Sequence, residues 1–274
     1  MKNSIQKYTI IIGLLILLTG AYSCKKDPID WYAPIGPPMT SYVKYINAIP
    51  GSVLDFYVYY TEMVDTVKYA TDQPYTNSPY GGPTVFATNN NQTTNRITAN
   101  TGAATPQMNG QGFVAEYYQT MIACKNTDST NAETMILLRD NLQIPAEGTA
   151  HIRFVYLTQR GASKITAVDL KSAAGPNGMA DIFLNQKYRI PSNSVLIDPS
   201  KGLNTPNLGV YTSGPFTPLA AGEYSMIIQS SGGGDTVATK SAVLLESGKI
   251  YTVYSTGKIG DAVAAPLINL LKHN

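Results

Sequence analysis

The chain has 274 residues, 43% of them hydrophobic and only 14% charged, with 23 Gly, 17 Pro and 19 Tyr. This composition supplies a sizeable core, excludes an intrinsically disordered chain, and favours strands and turns over long helices. The formal net charge is +2, and with Lys2 and Lys7 set aside as part of a leader, basic and acidic side chains are equal in number; no Lys/Arg cluster provides the basic face that nucleic-acid binding needs.

Residues 1–23 read as a lipoprotein signal peptide. Met1–Lys7 is a positive n-region, and Ile10–Leu18 is an apolar run far shorter than the roughly 20 helical residues needed to cross a bilayer. It ends in Ala21-Tyr22-Ser23-Cys24, followed at once by polar residues. This tetrapeptide resembles the lipobox of bacterial lipoproteins, with Ser23 and Cys24 fitting well and Ala21 and Tyr22 standing where Leu and a small residue are usual. The resemblance implies acylation of Cys24, palmitate included, and a membrane partner reached through lipid. Lys25, in place of the Asp that retains lipoproteins in the inner membrane, implies the outer membrane of a Gram-negative cell, at the cell surface or on the periplasmic face. With Cys24 lipidated, Cys124 is the one remaining thiol, so no internal disulfide, redox pair or CxxC zinc site is expected.

Residues 24–40 hold the lipidated cysteine and a tether whose Pro28, Pro34, Pro37 and Pro38 favour extended chain. Strands follow. Tyr42–Ile49 ends at Pro50-Gly51, and Leu54–Tyr60 alternates Phe56, Val58 and Tyr60 against Asp55, Tyr57 and Tyr59, the period of a half-buried strand. Tyr224–Gln229 and Val237–Leu245 flank Gly232-Gly233-Gly234 as a hairpin, and Ile250–Ser255 follows the turn residues Ser247-Gly248. Ala262–Leu271 has the composition of a short helix, against which an internal comparison argues.

In that comparison Tyr118–Asn141 lies on Tyr251–Asn274 without a gap, with identities at Tyr118/Tyr251, Lys125/Lys258, Asp128/Asp261, Ala132/Ala265, Leu137/Leu270, Leu138/Leu271 and Asn141/Asn274. Val43-Lys44-Tyr45-Ile46 similarly matches Ile152-Arg153-Phe154-Val155, and Asp55 matches Asp169. The expected organisation is all-β: two tandem immunoglobulin-like β-sandwiches over 41–147 and 148–274, each of a size suited to one sandwich.

Tyr42-Val-Lys-Tyr-Ile-Asn-Ala-Ile-Pro-Gly51 with Leu54-Asp-Phe-Tyr-Val58, and Ala221-Gly-Glu-Tyr224 with Gly248-Lys-Ile-Tyr-Thr-Val-Tyr254, resemble the opening and closing strands of the domain-of-unknown-function family 4397. Thr158-Gln159-Arg160 departs from the pattern. The resemblance implies an extracytoplasmic lipoprotein with tandem immunoglobulin-like sandwiches and assigns no activity.

Catalytic groups are sparse. His151 and His273 are the only histidines, far apart and without HExxH or HxH spacing, so neither a catalytic nor a metal-binding role is expected. Asp55 and Asp169 occupy matching positions in separate copies and are read as solvent-face or turn-bonding carboxylates. No Asp-x-Asp-x-Asp calcium loop occurs, and the glycine triplet lacks the Gly-Lys-Ser/Thr of a phosphate loop. No cofactor, metal or enzymatic activity is expected. The candidate ligand-stacking residues are Tyr57 and Tyr59, with Tyr117 and Tyr118 as further aromatic candidates. Asp65-Thr66-Val67, Asp128-Ser129-Thr130 and Asp235-Thr236-Val237 resemble bacterial O-glycosylation sequences, implying glycans on Thr66, Ser129 and Thr236. The expected function is a non-catalytic, membrane-anchored envelope or cell-surface lipoprotein with a structural or binding role toward a protein or glycan. The alternative is an accessory glycan-binding protein of a carbohydrate-uptake system.

Overall fold

A computed structural model describes residues 40–58, 61–71, 73–79, 85–89, 96–98, 117–125, 133–194 and 215–274. Cys24, Tyr59 and Ser129 lie outside the described residues. The described chain is all-β. Its strands are β1 (Thr40–Asn47), β2 (Val53–Val58), β3 (Thr61–Lys68), β4 (Thr76–Pro79), β5 (Val85–Asn89), β6 (Arg96–Thr98), β7 (Tyr118–Lys125) and β8 (Glu133–Arg139), followed by β9 (Thr149–Val155), β10 (Ala167–Ala174), β11 (Ala180–Lys187), β12 (Thr217–Ala220), β13 (Gly222–Ser230), β14 (Thr236–Leu245), β15 (Ile250–Thr256) and β16 (Leu267–Lys272).

They form four sheets, ordered β4-β1-β7-β8, β3-β2-β5-β6, β12-β9-β15-β16 and β11-β10-β13-β14. Adding eight to each strand number of the first pair gives the second pair, so β1–β8 and β9–β16 share one topology. In each half the first strand runs parallel to the seventh, β1 with β7 and β9 with β15, and the other pairings are antiparallel.

Alternation places the cores. Val43 and Tyr45 of β1, Leu54, Phe56 and Val58 of β2, and Met121 and Ala123 of β7 fill the space between the first two sheets. Ile152 and Phe154 of β9, Val168 and Leu170 of β10, Met226 and Ile228 of β13, and Tyr251 and Val253 of β15 do the same in the second half. The opposite faces of β1, β7, β9 and β15 are buried as well, apolar in part. A third cluster joins Ile46, Ala48, Ile122, Cys124, Ile136 and Leu138 to Val155, Leu157, Tyr254 and Leu271. Met39–Asn274 forms one compact unit, within which the described strands stack as four sheets with the two inner sheets buried on both sides.

The register corrects one part of the internal comparison. Asp140 N–H donates to the Tyr118 carbonyl, and His273 N–H to that of Ile250. Asp140 therefore corresponds to His273, but Tyr118 corresponds to Ile250 and not to Tyr251. The ungapped match holds in β8 and β16, where Leu137/Leu270 and Leu138/Leu271 share faces, and is one residue out in β7 and β15. A slip of one residue exchanges the two faces of a strand. The correct pairing sets the inward Met121 and Ala123 on the inward Val253 and Ser255. The helical alternative over Ala262–Leu271 gives way to β16, which pairs with β15 from Tyr251↔Lys272 to Thr256↔Leu267.

Asp55 and Asp169 do bond backbone turns. Asp55 Oδ1 accepts the Thr66 N–H at 2.8 Å, and Asp169 Oδ1 accepts the Asn185 N–H at 2.8 Å. Both receiving residues have left-handed backbone, φ 52° and 53°, and sit where β3 and β11 bulge away from β2 and β10. Asp169 also accepts from Ser231 Oγ at 3.0 Å and Gly232 N at 3.3 Å, tying down the β13–β14 turn. That turn needs positive φ at Gly232 and Gly233 (90° and 85°), which glycine adopts without steric cost.

Candidate functional site

Lys44 of β1, Thr120 of β7 and Asp140 after β8 project from one inner sheet. Arg153 of β9, Thr252 of β15 and His273 after β16 project from the other. Strand pairing fixes the correspondences Lys44/Arg153, Thr120/Thr252 and Asp140/His273, and the residues preceding β4 and β12, Tyr75 and Phe216, correspond in the same way. All eight meet at one end of the interface between the halves.

The contacts are reciprocal. Lys44 Nζ donates to the Lys272 carbonyl at 2.7 Å, and Arg153 Nη1 donates to the carbonyl of Arg139, the counterpart of Lys272, at 2.8 Å. Lys44 lies over the Tyr75 ring at 5.0 Å and Arg153 over the Phe216 ring at 4.5 Å. At the other end, Tyr69 Oη donates to Thr256 Oγ1 and its counterpart Tyr188 Oη to the Lys125 carbonyl. This is the self-complementary pattern of a two-fold dimer, here made between two halves of one chain. Near a two-fold axis a position meets its own counterpart, and the equivalent Asp140 and His273 lie side by side, Oδ2 to Nδ1 at 3.7 Å.

The polar groups close into a ring. Arg153 Nη2 donates to Asp140 Oδ1 at 2.7 Å and to Thr252 Oγ1 at 2.9 Å. Asp140 Oδ2 accepts from Thr120 Oγ1 at 2.6 Å and Tyr75 Oη at 2.9 Å. Tyr75 Oη lies 2.7 Å from His273 Nδ1, and Thr252 Oγ1 lies 2.8 Å from Nε2. A carboxylate only accepts, so the phenol donates to Asp140 and takes its second bond from His273 Nδ1–H; Nε2 then accepts the Thr252 hydroxyl. Tyr75, Asp140, Thr252 and His273 are all bonded with the imidazole neutral, while Arg153 Nε is buried without a hydrogen-bond partner.

Electrostatics agree with this assignment. Burial holds the His273 pKa down to about 4, with the nearby Arg153 and Lys44 cations adding to the effect against the opposing pull of Asp140. Burial pushes Asp140 upward, but His273, Arg153 and Thr120 together hold it below the ordinary carboxylate value. The Asp140 and Arg153 side chains are fully buried. Desolvation of such a pair is offset by filling the remaining hydrogen-bonding positions; here Arg153 Nη1 and Nη2 and both Asp140 oxygens are bonded, and Arg153 Nε is not.

Thr252, His273 and Asp140 line up in the order of a hydroxyl–imidazole–carboxylate triad, but Thr252 is fully buried and its oxygen already receives Arg153. The arrangement can lock two sheets together; it offers a substrate no reachable nucleophile. His151, at the margin of β9, is not part of it. Sequence reasoning misses this cluster because it treats His273 and Asp140 as alternatives at one position. The signal lies in two cations at matching sites, Lys44 and Arg153, each flanked by apolar or aromatic residues, Val43 and Tyr45 in β1 and Ile152 and Phe154 in β9.

Tyrosines adjoin the ring. Tyr42 and Tyr118 stack at 4.7 Å, and Tyr75 meets Tyr118 edge to face at 5.0 Å. Arg139 lies 5.6 Å from the Tyr117 ring. Tyr117 is 51% and Tyr118 38% exposed. Tyr57 lies apart on the outer sheet, half-buried, donating to Glu62 Oε2 at 3.1 Å. Thr66 and Thr236 are exposed. Cys124 is buried in the interface, and burial pushes its thiol up to about 12, which leaves it unreactive. Among the described residues no helix is long and apolar enough to cross a membrane, and no group of three His, Cys, Asp or Glu side chains is placed to hold a metal.

No family model matches this chain, and no curated protein matches it.

Proposed function

We propose that this protein is a non-catalytic lipoprotein of the bacterial envelope, anchored through lipid on Cys24 to the outer membrane, whose paired sandwiches serve as one rigid binding body. Support comes from how the chemistry is distributed. The cluster with catalytic side-chain types is buried and its members bond one another, whereas Tyr117 and Tyr118 beside it are exposed. The Ala21-Tyr22-Ser23-Cys24 sequence supports the anchor, since several acyl chains on one residue hold a protein to a bilayer by about 0.8 kcal/mol per buried CH₂. The likeness to family 4397 and the two-sheet halves support an immunoglobulin-like description of each sandwich, and exposed Thr66 and Thr236 suit O-linked glycans.

Metabolic labelling with an alkyne palmitate tests the anchor. The native chain incorporates label and sediments with membranes, and Cys24→Ser abolishes both. A native chain that stays unlabelled and soluble contradicts the proposal. Protease shaving of intact cells, with lysed cells as control, then separates a cell-surface from a periplasmic position.

A further inference from the structure

Large side chains that stay exposed are unevenly placed. Tyr117, Ile144 and Met179 are 51%, 77% and 84% exposed, and each lies in a connection between strands. Strand pairing brings these three connections to one end of the molecule. Tyr117 precedes β7, which starts beside β1 with Tyr118 against Tyr42. Ile144 lies in the linker from Asp140, just past β8, to Thr149, which opens β9, and Asp140 meets Arg153 across the interface at that end. Met179 follows the turn after β10, whose Ala174 pairs with Ser225 of β13. β13 begins two residues after Ala220, which pairs with Thr149. Two further exposed side chains adjoin the same end, Tyr118 at the start of β7 and Leu244 paired with Glu223 near the start of β13. Leu184 of β11, and Val263 and Leu267 toward the opposite end, are the remaining exposed ones among the described residues. Thr40 also lies at the end that carries Tyr117, where it opens β1 opposite Pro79. The chain from Cys24 therefore enters the sandwiches there.

We infer that this end rests on the bilayer surface, with Tyr117, Ile144 and Met179 entering the lipid headgroup region. The inference rests on the proposed lipid on Cys24 and adds to it a lipid-contacting surface and an orientation. Three observations favour lipid over a protein partner. First, the stretch from Cys24 to Thr40 spans at most about 55 Å even when fully extended. An acylated Cys24 thus gives this end a high effective concentration at the bilayer. Second, the three side chains stand on separate connections, one in each half and one in the linker between them. A fluid headgroup layer accepts scattered apolar side chains, whereas a stable protein interface needs a packed patch of about 800 Å² on each partner. Third, the charges at these strand ends and turns balance, Arg139, Lys249 and Lys272 against Glu147, Glu223 and Glu246. Contact then draws on apolar insertion rather than on attraction to anionic lipid. Tyrosine, with an apolar ring and a polar tip, suits that boundary.

The test places single cysteines by Ile144→Cys, Met179→Cys and, as a control at the opposite end, Val263→Cys. Each is labelled with the environment-sensitive dye NBD in the acylated protein; Cys124 is buried and stays unlabelled. The protein is reconstituted on vesicles of phosphatidylethanolamine and phosphatidylglycerol, which are then floated. Apolar side chains of a surface-bound face reach roughly 5–10 Å into the headgroup boundary, so a lipid with a nitroxide at that depth should remove about half or more of the emission at positions 144 and 179. Aqueous iodide should quench these two labels poorly and the label at 263 well. Circular dichroism melting checks that the variants are folded; if the 144 variant is not, position 179, in an exposed turn, carries the test. Equal quenching of all three labels by iodide on floated vesicles, with none by nitroxide lipid, overturns the inference and leaves the anchor standing. Nitroxide quenching at 263 instead of 144 and 179 does the same. A protein that does not float with the vesicles overturns both the anchor and the inference.

Discussion

His273 enters folding as a neutral imidazole, and that sets a pH dependence with a definite sign. Its folded pKa is about 4 against an ordinary histidine value of 6.5, so between those values the unfolded chain holds a proton that the folded chain does not. Stability is fully present above pH 6.5, falls as pH drops toward 4 and levels off below; from this group alone the loss approaches about 3 kcal/mol. Asp140, held below its ordinary value, adds a further loss once the pH falls below the carboxylate range. Urea titrations from pH 8 to 4 should show the first decline, and His273→Gln should flatten it. An unchanged slope in that variant would remove His273 as its source. Arg153 and Asp140 form a second residue-scale test. Asp140→Leu leaves the guanidinium buried without its carboxylate and should cost about 3–5 kcal/mol, whereas adding Arg153→Met should recover most of it. A double variant as unstable as the sum of the two single variants would show that the pair is not coupled.

Strands differ in how plainly they can be read, for reasons visible in single elements. β1, β2, β13, β14 and β15 carry alternation or β-branched and aromatic runs, and each is legible in the sequence. β11 is not. Its sequence ADIFLNQK buries only Phe183, and the left-handed Asn185 breaks its period. Edge position and a bulge together erase the signal on which a period-two reading depends. β7 is buried over six successive residues, Gln119–Cys124, because it lies between two packed layers. The sequence comparison finds it through the repeat, but misplaces β7 against β15 by one residue, since strands buried on both faces carry no alternation to fix register. The bulges hold by a single carboxylate each. Asp169 accepts three bonds, so Asp169→Ala should destabilise by about 1–3 kcal/mol, more than an exposed substitution such as Asp181→Ala, as read by denaturant midpoint. Thr66 and Asn185 occupy left-handed backbone, so glycine at either position should be neutral or mildly stabilising. Clear destabilisation by Thr66→Gly would mean that its side chain carries more than the bulge requires.

Across the whole molecule, the interface between halves has the organisation of a protein core: an apolar centre from Ile46 to Leu271, a sealed polar ring at one end, and the Tyr69 and Tyr188 bonds at the other. Little of the ring is legible in sequence, because its members lie up to 198 positions apart, from Tyr75 to His273, and come together only when two sandwiches face one another about a two-fold axis. A hinge between independent sandwiches would expose the apolar faces of β1, β7, β9 and β15 to water. Differential scanning calorimetry of the chain from Lys25 onward measures directly whether the halves act as one body. A single transition whose calorimetric and van't Hoff enthalpies agree is the expected result. Two separable transitions, each with the enthalpy of one sandwich, would contradict it.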